Sequence, residues 1–105
     1  MTAVIDREIA KRNLAVNLWA ILHDHEEGRG EYKWLAEKMS ERLGETIHVS
    51  RIQKLLQQTA SPEWSFVLNL AELLRVDIEE LAKNPTKSAV KLYEKRFPNF
   101  CRIVA

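Results

Sequence analysis

Glycine and proline occur three times each in 105 residues, and cysteine once. So few chain breakers, set among 46% aliphatic and aromatic residues, suit a compact all-helical fold and argue against disorder over most of the length. The lone Cys101 excludes an internal disulfide and reads as a small hydrophobe of a reducing compartment. No apolar run reaches the length of a membrane span, and the first residues lack the apolar core of a secretory signal, so the chain is expected to be cytoplasmic and free of the membrane. There is no glycine-rich phosphate loop and no nucleophile beside a base at a recognisable spacing, which excludes the common enzyme classes and gives no cofactor a place. The run from His23 to Glu27 looks like a metal cluster by composition alone. On a helix, however, His23 and His25 point about 200° apart and no distant Cys or His completes a set, so no metal is expected. Internal repeats are absent, and the length allows one core.

The informative stretch runs from Ile47 to Leu81. Between Ile47 and Gln58, Val49, Ile52, Leu55 and Leu56 recur at three- and four-residue spacing and predict a short amphipathic helix. Ser50, Gln53, Lys54, Gln57 and Gln58 share its outward arc, with Arg51 at the edge. Such a face, rich in amides and carrying a cation, can read base edges. After Thr59-Ala-Ser-Pro62 comes a second apolar helix with Val67, Leu70, Ala71 and Leu74 on one side and Pro62 in its first turn. A break at Arg75-Val76 follows, then Asp77 as N-cap with Glu80 three residues on, a capping box for a further short helix.

This arrangement resembles the lambda-repressor/Cro-like helix-turn-helix family over about thirty-five residues, in which a recognition helix passes through a proline turn into a helix ending Leu-x-Val and a capped last helix. In the same comparison, the segment 33–43 is the first helix of the pair, with Leu35, Met39 and Leu43 as its stripe and Ala36 as the small residue that lets two helices cross closely. Ala36 and Ile47 lie eleven residues apart, farther than the family's usual turn, so helix two is expected to run a turn longer and to end at Gly44.

The resemblance implies a DNA-binding transcription regulator of bacterial or phage type, a repressor by preference, docking on double-stranded DNA as a homodimer. It assigns base contacts to Val49, Ser50 and Lys54, flanked by Arg51 and Gln53, with Gln57 farther along the same arc. Phosphate contacts are expected from Lys33 at the start of helix two with Tyr32 beside it, from Arg42 and His48 around the same face, and from Thr59 and Ser61 in the following turn. Thr59 and Ser61 serve equally well as turn residues. The alternative on the same fold is a helical protein-interaction module, antitoxin-like or an adaptor, without DNA binding. The residues name neither an operator nor a small-molecule effector.

A long first helix over 6–23, apolar at Ile9, Leu14, Leu18, Ile21 and Leu22, is expected at the back of the core, and Trp19, Trp34 and Trp64 are read as core anchors rather than as stacking platforms. The net charge of +1 is unevenly spread: residues 1–82 hold ten Lys and Arg against fourteen Asp and Glu, net −4, while residues 83–105 hold six against one, net +5. Few cations around the reading face imply modest non-specific affinity, and so favour two subunits binding together.

The expected architecture is therefore all-α, a five-helix domain over 1–83 followed by a basic extension over 84–105. In that extension Ser88 is expected to cap a short helix with Ala89, Val90, Tyr93 and Phe97 as its stripe, Pro98 ends it, and 100–104 reads as a strand that pairs with its counterpart in a second subunit.

Overall fold

The computed structural model describes residues 3–24, 32–59 and 63–98, with side chains from residue 9 onward. Among the described residues the chain is all-helical: α1 (Ala3–Asp24), α2 (Tyr32–Leu43), α3 (Val49–Leu56), α4 (Trp64–Leu74), α5 (Ile78–Ala82) and α6 (Lys87–Arg96). No helix among them is long and apolar enough to cross a membrane. The strand expected at 100–104, Cys101, His25, Ser61 and Pro62 lie outside the described residues.

α1 is the central helix rather than the back of the core. Every residue from Asn13 to Trp19 is buried, because α3, α5 and α6 surround that segment. A helix covered on several sides needs no single apolar stripe, which is why its sequence mixes Asn with Leu, Ala and Val. Ile9, expected inside, is exposed. The two buried amides have work to do at the end of α5. Asn17 Nδ2 donates to the carbonyls of Leu81 at 3.2 Å and Lys83 at 2.8 Å, and Asn13 Nδ2 donates to that of Ala82 at 3.2 Å. One turn apart on α1, the pair satisfies carbonyls that the short helix leaves open at its C-terminus.

α6 belongs to the same core. It packs on α1 with Tyr93 fully buried and Phe97 nearly so, Phe97 meeting Trp19 edge-on at 5.3 Å between ring centres. Its cap is Thr86, whose hydroxyl accepts from the Ala89 N–H at 3.1 Å, two residues before the expected Ser88. Starting there gives the helix a full ten residues before Phe97.

α4 buries Phe66 as well as the four residues its periodicity marked. Trp64, expected as a core anchor, is 65% exposed at the first position of that helix, whereas Trp19 is buried and Trp34 packs half-buried against the core. α4 ends as expected at Arg75, which turns left-handed (φ 60°) while the N–H of Val76 returns to the Ala71 carbonyl at 3.0 Å. Asp77 does occupy the N-cap of α5, but its side chain makes no capping bond, and the Glu80 carboxylate takes Lys83 instead, at 3.0 Å. The reciprocal capping box expected there does not form.

Candidate nucleic-acid interface

Three local devices position α3. α2 ends at Gly44, where φ is +71° and the N–H returns to the Ser40 carbonyl at 2.9 Å, a left-handed conformation that glycine favours because it has no Cβ. Ser40 then ties the turn to α2: its hydroxyl accepts from the Ile47 N–H at 2.8 Å and lies 2.8 Å from the Ala36 carbonyl. Ile47 is buried, so the extra residues of this turn are anchored at both ends. At the far end, Gln58 turns left-handed, its N–H bonding to the Leu55 carbonyl at 3.2 Å and that of Thr59 to the Lys54 carbonyl at 3.0 Å.

The apolar side of α3 is inside as expected, with Ile52, Leu55 and Leu56 buried and Val49 half-buried against the core. Opposite them Ser50 and Lys54 are exposed, one turn apart, and Gln53 and Gln57 are half-buried beside them. Gln58 is not on this face. It stands beyond the helix, its amide donating to the Tyr93 hydroxyl at 3.2 Å. That hydroxyl donates in turn to the Leu56 carbonyl, the last of α3. A buried tyrosine from α6 thus closes the C-terminal end of α3, a link that no local pattern announces.

Arg51 and Arg42 are drawn away from the face. The Arg51 guanidinium bonds to the Glu63 carboxylate at 3.2 Å and lies over the Phe66 ring at 4.0 Å. Arg42 donates through Nε to Asn69 Oδ1 at 3.0 Å and through its other nitrogen to Glu72. Both join α4 to the α2–α3 pair, so Arg51 as a base contact and Arg42 as a phosphate contact would each require an existing bond to break. The hydroxyl of Thr59 likewise faces the Lys54 carbonyl at 3.3 Å, the turn role that its residue type equally allowed.

His48 occupies the N-cap position of α3 with its side chain exposed and making no capping bond. Lys33 is exposed in the first turn of α2, which contains no acidic residue. Beside it Tyr32 is half-buried, with the Arg96 guanidinium 5.7 Å from its ring centre. Burial pushes the Tyr32 phenol above its ordinary value, against the opposing pull of Arg96, so the hydroxyl keeps its proton throughout the neutral range. An open groove between α2 and the start of α3 is lined by Lys33, His48 and Val49 but also by Glu37 and Glu41. These carboxylates would repel an anion in the groove.

No protein-family model, curated protein or solved structure gives a significant match to this chain.

Proposed function

We propose that the protein is a sequence-specific regulator that binds double-stranded DNA through a lambda-repressor-like helix-turn-helix formed by α2 and α3, and that it represses by occupying its site in the cytoplasm. The observation that carries this reading is the division of α3. One side is sunk in the core, while Ser50 and Lys54 project from the other without a bond to any described residue. Gln53 and Gln57 flank them with amide groups suited to adenine, and Lys54 suits guanine O6 and N7. Lys33, with Tyr32, supplies the phosphate contact at the start of α2, where backbone N–H groups and the helix dipole also favour an anion.

The protein acts as a homodimer, since so few cations around the reading face of one subunit hold a duplex weakly, and two copies place two reading helices at half-sites about one turn apart. Selection of bound duplexes from a random pool tests the reading. Enrichment of a two-fold symmetric site supports it, and recovery of unenriched sequence sinks it.

One set of observations favours the second reading, a protein-interaction module. Glu37 and Glu41 border the groove beside α3, and the exposed Trp64 offers an apolar contact on α4. Retention on duplex DNA that falls steeply with salt belongs to the first reading alone.

A further inference from the structure

α6 carries a charge pattern that its own stability explains only in the last turn, where Lys95 and Arg96 suit the helix dipole. Lys87, Lys91 and Lys95 follow at four-residue spacing, so they form one row about 6 Å apart along the helix. All three are exposed, and none makes an ion pair with a described residue, the exposed Glu94 of the same helix included. Like charges four residues apart repel, and Lys87 stands in a first turn that holds no acidic residue, at the positive end of the helix dipole. Both features oppose the helix. α5 does the reverse, with Glu79 and Glu80 in its first turn and Lys83 closed onto Glu80.

The row is mounted rigidly. Tyr93 and Phe97 pin the other side of α6 into the core, the Tyr93 hydroxyl holds the last carbonyl of α3, and Arg96 reaches Tyr32 at the start of α2. α6 therefore touches both helices of the reading pair. No aromatic ring is exposed among the lysines, since Tyr93 is fully buried and Phe97 3% exposed, so the face offers unpaired bases nothing to stack on. What it offers is three point charges spread over about 12 Å, a length that passes several phosphates of one duplex strand.

We propose that Lys87, Lys91 and Lys95 grip the phosphate backbone of the same duplex whose bases α3 reads, so that α6 is a second DNA-binding element supplying affinity without sequence choice. This rests on the reading of α3 given above.

The test compares full-length wild type, K87Q/K91Q/K95Q and S50A/K54A for binding to a selected duplex and to its scrambled sequence across a salt series, with circular dichroism as the check on folding. For the triple glutamine variant the slope of log affinity against log salt should become shallower by about 0.9 for each lysine, roughly 2.7 per subunit and so roughly 5.4 for a bound dimer, and both duplexes should weaken by the same factor. K87R/K91R/K95R should restore the slope. S50A/K54A should lose the preference between duplexes but keep the share of the slope due to α6.

A folded triple variant with the wild-type slope overturns the proposal while leaving the reading of α3 intact. Wild type that shows no preference between duplexes, with a triple variant that still loses slope, sinks the reading of α3 and supports the α6 contact. No binding of wild type to either duplex at low salt overturns the α6 proposal.

Discussion

Around α1 the polar links are buried or partly buried and run to backbone carbonyls: Asn13 and Asn17 hold the end of α5, and the Tyr93 hydroxyl holds the end of α3. Between α4 and the α2–α3 pair they are guanidinium groups at the surface, Arg42 on Asn69 and Glu72, Arg51 on Glu63. The two kinds differ in what their loss leaves behind. A buried carbonyl without its donor has no water to turn to, whereas an exposed carboxylate is resolvated at once. Burial, rather than the number of bonds, thus decides which contacts fix the position of α3. The firm polar link comes from Tyr93 of α6, and the arginine bridges to α4 are the weaker set.

The apolar core shared by both regions sets the upper limit for this comparison. Leu70 is fully buried on α4, and Leu70→Ala should destabilise by about 2–5 kcal/mol, since the cavity left at the centre of the core closes only in part. Denaturant unfolding measures this, and a loss under about 1 kcal/mol would mean that α4 is not central.

Below it come the buried polar links. Asn17→Ala strands the buried carbonyl of Leu81, and Tyr93→Phe removes the donor to Leu56, so each should lower stability by about 1–3 kcal/mol. Tyr93→Phe carries a second expectation. With the end of α3 released, hydrogen exchange should quicken at the amides of 55–58 more than at those of α2. Uniform acceleration would deny α6 any particular hold on α3.

The surface bridges should matter least among the structural contacts. Arg42 keeps 35% of its side chain exposed and its partner Glu72 keeps 62%, so Arg42→Gln should change stability by less than about 1 kcal/mol, and by less still at high salt. A loss equal to that of Asn17→Ala would erase the distinction between the two regions.

The sequence was most legible where apolar periodicity and turn chemistry act locally. The stripes of α2, α3 and α4, the glycine end of α2 and the break at Arg75 all follow from neighbouring residues. The polar links were not legible, because each joins segments far apart in the chain: Asn17 reaches the carbonyls of Leu81 and Lys83, and Tyr93 that of Leu56. Asn13 and Asn17 at four-residue spacing inside an otherwise apolar run were the one available signal, since two such amides on a covered face must find partners. Trp64 misled for the opposite reason. A large aromatic is usually buried, but Trp64 stands at the very first position of α4, where it is 65% exposed. At the reading face, periodicity placed Ser50 and Lys54 outward, but the capture of Arg42 and Arg51 by α4 depends on carboxylates thirty and twelve residues on.

The smallest structural effect belongs to the residues on which the proposed function depends. Ser50 and Lys54 are exposed and hold nothing else in place, so Ser50→Ala with Lys54→Ala should shift the unfolding midpoint by no more than about 0.5 kcal/mol of stability. A side chain bonded within the protein contributes to the fold, and one left unbonded on an ordered helix is free for a ligand. The double variant should therefore keep its thermal unfolding curve and lose discrimination among duplexes, each well-made base contact accounting for about 1–3 kcal/mol. Arg51→Gln gives the matching control, because its guanidinium already serves Glu63 and Phe66. It should change stability slightly and leave the preferred sequence as it was. If Arg51→Gln alters that preference while the double variant does not, the reading face lies on the α4 side of α3 and the division between bonded and unbonded groups fails as a guide to this interface.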